Sequence, residues 1–476
     1  MTTILWFRQD LRLDDHPGLR AAVARGPVQP VFIWDPEGEG RWAPGGASRW
    51  WLDRSLRQLD HSLRSKGSRL LVRTGGTAKV LPALAEEIGA DRVIASRRLE
   101  PAAIDQERAV AEALRSKGRD LDLHQTALLR APEDVRSGSG EPYKVFTPYW
   151  RSCLRGEAID LPREAPESIR PPKVTPRGDS IESLGLAPTI AWDQGLAETW
   201  TPGEAGAHAR LAAFAAGAVK GYGTGRDRPE IVGTSMLSPH LHFGEVSPRR
   251  VWHAIGGGRA TRPADADKFL AEIGWREFAH HVLAAFPRTA ERPLRPEFER
   301  FPWRRDAKAL RAWQRGETGY PMVDAGMRQL WRTGWMHNRV RMIVASFLVK
   351  HLLLPWTAGA AWFWDTLVDA DLANNTMGWQ WSAGCGADAA PYFRVFNPVL
   401  QGEKFDPEGG YVRRWVPELA TMPKKFLHRP WEAPPEVLRQ AGVVLGRSYP
   451  SPIVDHAEAR ARALAALAET SRRTSA

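Results

Sequence analysis

Cysteine is scarce in this chain. Only Cys153 and Cys385 occur among 476 residues. With no CxxC pair and no Cys/His spacing suited to zinc, disulfide scaffolds and zinc modules are excluded and a reducing compartment is implied. Long apolar runs are missing too. No uncharged stretch approaches the ~20 residues that span a bilayer, and no apolar signal core stands at the N-terminus, so a cytoplasmic protein is expected. No GxGxxG follows the first strand-like run, and Gly75 and Gly76 come only after the third, which argues against NAD binding. No repeat recurs at solenoid spacing. His240 and His242 hint at a metal, but no third ligand lies close by in sequence, and no metal is expected.

What is present leans to one sign of charge. Lys and Arg number 66 against 55 Asp and Glu, a formal net charge of +11, which favours an anionic partner, nucleic acid above all. Trp is abundant at 21 residues against 7 Tyr, and many of these indoles lie among arginines in the C-terminal half. At 476 residues and 43% hydrophobic content the chain is too long for one typical core, so two or more domains follow.

Over residues 1–130 the apolar runs ILWFR, VQPVFIW, RLLVRT, RVIAS and LDLHQ alternate with helical patterns over 48–65, 78–88 and 102–116. That alternation predicts a doubly wound parallel α/β sheet of Rossmann-like type, with room for a ligand outside the strand C-termini. Arg8, Asp10, Arg12 and Asp14 read as surface and interdomain ion pairs. From 131 to 200 Pro, Gly and charge prevail, as in IRPPKVTPRGDS, predicting an interdomain connector. One helical piece, YKVFTPYWRSCLRG, precedes that Pro-rich run, and Pro148 is placed to open that helix. Helical periodicity then runs through 201–476, predicting an all-α domain.

The densest chemistry is DADLANNTMGWQWSAGCGADAAPYFRVFNP, residues 369–398. Asp369, Asp371, Asn374 and Asn375 offer donors and acceptors for a flat polar heterocycle. Gly378, Gly384 and Gly386 allow close backbone approach, and Trp379 and Trp381 add π surface. On composition alone, a Gly- and Asn-rich loop plugging a helical core fits equally well. Earlier, GYGTGRDRPEIVGTSMLSPHLHFGEVS gathers Tyr222, Arg226, Thr234, Ser235 and Ser238, which suits either a phosphate at a helix N-terminus or simple N-caps. In ADADKFLAEIGWREFAHHVLAAF, Glu272, Trp275 and Arg276 share adjoining parts of one helix face, where Glu272 and Arg276 can pair at i,i+4. A helix over 337–354 puts Val340, Ile343, Val344, Phe347, Leu348 and His351 on an apolar stripe. Asn338, Arg341, Met342 and Ala345 fall on the opposite side, and His351 reads as a core histidine.

DADLANN with GWQW, then DAAPYFRVFNP and QGEKFDPEG, resembles the flavin-binding signature of the photolyase and cryptochrome flavoprotein family, its cyclobutane pyrimidine dimer photolyases in particular. The likeness runs from LWFRQDLRLDDHPGL at Leu5 to beyond Gln401. It implies an N-terminal antenna domain, a helical FAD domain, and light-driven repair of dimers in DNA by an electron from photoexcited reduced FAD. By the same resemblance, Tyr222, Thr234, Ser235, Met236, Leu237 and Ser238 bind FAD, as do Phe269, Arg276, Asn338 and Arg341. Asp369, Ala370, Asp371 and Asn375 complete that set, with Arg341 paired to Asp369 and Asn375 facing flavin N5. Glu272, Trp275 and Asn338 meet the flipped dimer, and Glu272, Asn338 and Asn375 are the implied catalytic groups. Arg226, Arg339, Met342, Trp381, Arg394 and Gln401 meet DNA, and Trp379, Trp356 and Trp303 form an electron relay from innermost to outermost. Asn338, where (6-4) photoproduct enzymes carry His, and Asn375, where plant cryptochromes carry Asp, favour dimer repair over signalling. So does the short tail RALAALAETSRRTSA. A second antenna chromophore, methenyltetrahydrofolate or a deazaflavin, is expected, as is a monomer.

Overall fold

The structure, a computed structural model, describes residues 2–174, 176–258, 261–389 and 393–475. Within the DAAPYFRVFNP motif, residues 390–392 therefore lie outside the described residues. By its internal contacts the chain divides into two compact units. Unit 1 comprises Met1–Lys220, Ser235–Pro287 and Val368–Ala373, and unit 2 comprises Gly221–Thr234, Arg288–Leu367 and Asn374–Ala476.

Unit 1 holds the expected sheet. The five strands are β1 (Thr2–Phe7), β2 (Val28–Trp34), β3 (Leu71–Thr74), β4 (Ala90–Ser96) and β5 (Asp120–His124), all parallel, in the order β3-β2-β1-β4-β5. β1 and β2 are buried along almost their whole length, which is why they read as unbroken apolar runs and not as alternating ones. The order reverses at β1. Right-handed crossovers therefore place the connecting helices on both faces of the sheet: α1 (Pro17–Arg25), α2 (Gly46–Ser65), α3 (Thr77–Glu87) and α4 (Pro101–Arg115). The sequence reading missed α1. It has nine residues, opened by Pro17 and capped by His16, whose side chain accepts from the Leu19 N–H at 3.1 Å.

The RQDLRLDD segment differs from expectation in its burial, while ion pairs form as expected, Asp14 with Arg250 at 2.5 Å and Arg8 with Glu107 at 2.6 Å. Arg8, Asp10, Arg12 and Asp14 are buried, not surface groups. Arg12 donates to the carbonyls of Asp14, Asp15, Thr126 and Gly244 at 2.9–3.2 Å. Asp10 accepts from the Arg8 N–H at 2.7 Å and from His16 Nε2 at 2.9 Å. Burial alone would raise the Asp10 carboxyl, but the hydrogen bond and charge of His16 outweigh it and bring Asp10 to about 2. With Ser96 bonded to Asp10 and Arg8 to Glu107, the protein's own side chains occupy the ends of β1 and β4 where the strand order reverses.

One helix of unit 1 carries the expected substrate residues Glu272 and Trp275, and a second packs against it. α5 (Phe146–Arg155) begins two residues before Pro148, which is tolerated because first-turn N–H groups lack intrahelical partners. α6 (Ala264–Ala285) runs for 22 residues. A Cβ at Gly274 of α6 would stand 2.6 Å from the Trp150 ring, so that glycine lets α5 approach closely.

Unit 2 is built of helices, among them α7 (Asn338–Ser346), α8 (Trp356–Thr366), α9 (Leu372–Ala383) from Asn374 onward, and α10 (Pro398–Phe405). The helix expected over 337–354 is interrupted: α7 gives way to a π turn, Phe347–His351, and Leu353 takes φ +52°. The apolar stripe from Val340 to His351 is buried as expected. Ala345, expected on the opposite side, is buried as well. Cys153 and Cys385 are free and buried. Among the described residues, no helix is long and apolar enough to cross a membrane.

Candidate functional site

In unit 1 the site residues hang on α6. Trp275 stacks on Phe146 with ring centroids 3.8 Å apart and planes 11° from parallel, so one indole face is covered by an aromatic that the sequence reading did not single out. Glu272 lies one turn earlier and is half-buried. Arg276 points its guanidinium at main chain, donating to the Ala127 carbonyl at 2.6 Å and the Leu241 carbonyl at 3.4 Å. Beside it, Glu277 accepts from the N–H groups of Leu129 and Arg130 at 2.8 and 3.1 Å, and burial pushes its carboxyl up to about 7. Phe269 packs against Phe214 at 4.5 Å.

α6 also supports the acidic segment. His280 Nε2 stands 3.3 Å from Asp371 Oδ2, and His242 Nδ1 at 3.7 Å. Burial would raise Asp371, yet the positive His280 ring outweighs it and holds the carboxyl well below the usual range. His280 is raised in turn, against its own burial, by Asp371. The Asp371 N–H donates to the Asp369 carbonyl at 2.8 Å, and Asp369 and Ala370 are buried.

The Thr234 to Ser238 segment is a tight turn. Ser235 Oγ accepts from the Leu237 N–H at 3.3 Å, Leu237 is buried, and Met236 holds φ +51°, a conformation that is costly for a residue with a Cβ. Ser238 begins a five-residue helix, Ser238–His242, with no side-chain cap. Thr234 is half-buried. In the preceding stretch, which belongs to unit 2, Tyr222 is buried and the Arg226 guanidinium lies 5.5 Å from its ring centroid.

In unit 2, α7 presents Asn338 exposed at its first turn. His337 caps that turn through Nδ1, which accepts from the Arg339 N–H at 3.2 Å. Arg339 bonds Asp227 Oδ1 at 2.7 Å, lies 4.4 Å from the Phe405 ring centroid, and reaches Met342 Sδ at 3.6 Å. Arg341 donates to the Met336 carbonyl at 2.8 Å. Asn375 spends its amide N–H on the Ala360 carbonyl at 3.0 Å. Met342, Trp381 and the exposed Arg394 line one cleft, so three of the expected DNA contacts are brought together. Gln401 sits half-buried on α10.

Of the relay candidates, Trp379 is buried with its Nε1 lacking a hydrogen-bond acceptor among the described residues. Its ring meets Phe363 at 5.0 Å and Trp313 at 6.0 Å, edge to face. Trp356 opens α8 and is buried, whereas Trp303 is half-buried against Phe301 at 4.3 Å. Trp313, Phe146 and Lys350 carry no motif that sequence reading could use; what marks them is their neighbours.

Comparison with known proteins gives one consistent picture. Residues 269–469 match the FAD binding domain of DNA photolyase, and residues 3–169 match the DNA photolyase family. Over 474 residues the chain is 49% identical to the deoxyribodipyrimidine photo-lyase of Agrobacterium fabrum, covering 99% of this chain and 98% of that protein. Cryptochrome-1 of Arabidopsis thaliana is 40% identical over 484 residues, covering 98% of this chain and 70% of that protein. The crystal structure of a bacterial class III photolyase from Agrobacterium tumefaciens matches with a TM-score of 0.95 at 49% identity, covering 99% of this chain and 98% of that one.

Proposed function

This chain belongs to the DNA photolyase family, with cryptochromes among its relatives, and from that premise we propose that it is a deoxyribodipyrimidine photolyase repairing cyclobutane pyrimidine dimers in light. The observation that carries the reading is the full-length likeness to the Agrobacterium photo-lyase. The cofactor is FAD. The residues present fit a flavin. A buried indole N–H on Trp379 has no acceptor among the described residues, and buried carboxylates at Asp369 and Asp371 can accept from ribose or ring N–H groups.

Tyr222, the hydroxyls of Thr234, Ser235 and Ser238, and the Met236 and Leu237 main chain would hold the phosphates. Phe269, Arg276, Asn338, Arg341, Asp369, Ala370, Asp371 and Asn375 would hold the rest. When bound and reduced, FAD supplies the light-driven electron that opens the cyclobutane ring and receives it back. The protein's part is capture and placement. A dimer already weakens stacking and pairing, so drawing it out of the duplex costs less than flipping normal bases. Trp275 stacks on it, Glu272 and Asn338 hydrogen-bond its polar edges, and Met342 and Trp381 wall the cleft. Arg226, Arg339, Arg394 and Gln401 grip the strand. Trp379, with Trp356 and Trp303, passes electrons when the cofactor needs reduction.

A second antenna chromophore, methenyltetrahydrofolate or a deazaflavin, belongs to this reading. So do a monomeric state, a cytoplasmic location, and the domain boundaries at 130 and 200. The test is direct: reduced holoprotein is incubated with dimer-containing DNA in blue light and in darkness. Dimers should disappear only in light. Equal persistence in both overturns the reading.

A further inference from the structure

The cleft that holds Met342 and Trp381 also contains a buried cation with no role so far. Met342, Ser346 and Lys350 follow one another at every fourth residue along α7 and its π turn, and all three line the cleft. Phe393, Arg394 and Phe396 form the facing wall. Lys350 is only 5% exposed. Its Nζ donates to the Arg394 carbonyl and lies 4.6 Å from the Phe393 ring centroid, a cation–π arrangement. One helical turn away, Ser346 Oγ accepts from the Phe396 N–H at 3.4 Å. Phe393 in turn lies against Gly384, where a Cβ would come within 3.2 Å of the ring at φ +86°.

These contacts divide Arg394 in two. Its carbonyl is fastened inward by a buried ammonium while its side chain is exposed. The ammonium is expensive to keep. Burial is the one cause moving Lys350, down to about 7, with no carboxylate among the described residues offsetting it, and charged or neutral the amine can donate to the carbonyl. A charge buried without a counter-charge destabilises a fold. An apolar side chain of the same length would fill the space at lower cost, but it would remove the bond to the Arg394 carbonyl and leave the facing wall held at Phe396 by Ser346.

We propose that Lys350 is a positioning residue for DNA capture: by gripping the Arg394 carbonyl it fixes the Phe393 to Phe396 wall and aims the Arg394 guanidinium at a phosphate of the damaged strand. The proposal rests on the repair reading above and adds a residue to it. In this role Lys350 acts through Arg394, whose carbonyl it holds.

The test is a double-mutant cycle on the holoprotein with Lys350→Met and Arg394→Ala, separately and together. Equilibrium binding to a dimer-containing duplex is measured across a salt series, alongside FAD occupancy and repair at saturating DNA. Lys350→Met should weaken binding by roughly tenfold and flatten the salt dependence by about one charge, as Arg394→Ala does. FAD occupancy and repair per bound complex should stay at the parental level. The double variant should bind little worse than either single one, because both remove the same contact. Parental affinity in Lys350→Met, or losses that multiply in the double variant, overturn the proposal. Should Lys350→Met fail to retain FAD, Ser346→Ala takes its place in the cycle. It removes only the Phe396 anchor, and a smaller loss that does not multiply with Arg394→Ala is then expected, whereas multiplying losses overturn the clamp. Parental affinity in Arg394→Ala overturns clamp and phosphate contact together, while dimers that survive blue light in the parent protein overturn the repair reading itself.

Discussion

Trp379 owes its position to what a neighbour lacks. A Cβ on Gly359 would stand 2.1 Å from the Trp379 ring, so α8 offers the indole a seat only because a glycine stands there, and Phe363 and Trp313 close on its edges. That packing explains burial but not the indole N–H left without an acceptor among the described residues, which costs free energy when buried. Trp379→Phe keeps a ring and removes the oxidisable indole. Photoreduction of the oxidised cofactor should largely stop, while protein reduced chemically beforehand should repair dimers in light at near-parental yield. If Trp379 only packs, trimming it leaves a cavity worth ~1 to 3 kcal/mol, and flavin occupancy, photoreduction and repair should fall in parallel. Measuring all three on one preparation separates the outcomes. At this scale the motif residues could be singled out because order in sequence carries them. Lys350 was not, since its partner is a main-chain carbonyl 44 residues away and no pattern of side-chain types encodes such a bond.

Among the elements, the strands were legible, whereas one short helix and one break in helical geometry were not. β1 and β2 are covered on both faces, so their apolar runs have no rival reading, whereas α1 has nine residues, too few for a period to stand out. The stripe from Val340 to His351 fits an ordinary helix so well that the π turn is invisible in it, although the turn carries both Lys350 and His351. His351 bonds His456 at 2.9 Å, and burial lowers it to about 3; burial likewise lowers His337, the cap of α7, to about 4. Both are depressed in the folded state. As pH falls below about 6.5, the unfolded chain takes up protons that these two rings refuse until pH 4 or lower, so stability drops by about 1.4 kcal/mol per pH unit for each ring. The melting midpoint should therefore fall steadily from pH 6.5 to 4.5. His351→Gln should show a shallower decline over the same window, and equal slopes in parent and variant would remove His351 from the account.

For the whole molecule, the net charge of +11 says that DNA binding must be salt-dependent without saying which charges take part. Log affinity falls with log salt by about 0.9 for each phosphate that a cation neutralises. Two of the proposed contacts differ in a way this slope can read. Arg394 is exposed, whereas Arg339 is half-buried, holds Asp227 at 2.7 Å and must share or surrender that carboxylate to meet a phosphate. Arg394→Ala should thus flatten the salt dependence by about one charge, and Arg339→Ala by clearly less. Asp227→Asn carries the argument further, since it frees the Arg339 charge without touching the DNA-facing groups. It should tighten binding to damaged and undamaged DNA alike and steepen the slope above the parental value. Equal flattening by the two arginine variants, or parental affinity in Asp227→Asn, would mean that Asp227 does not restrain Arg339 and that the difference in their surroundings has no bearing on how the protein holds DNA.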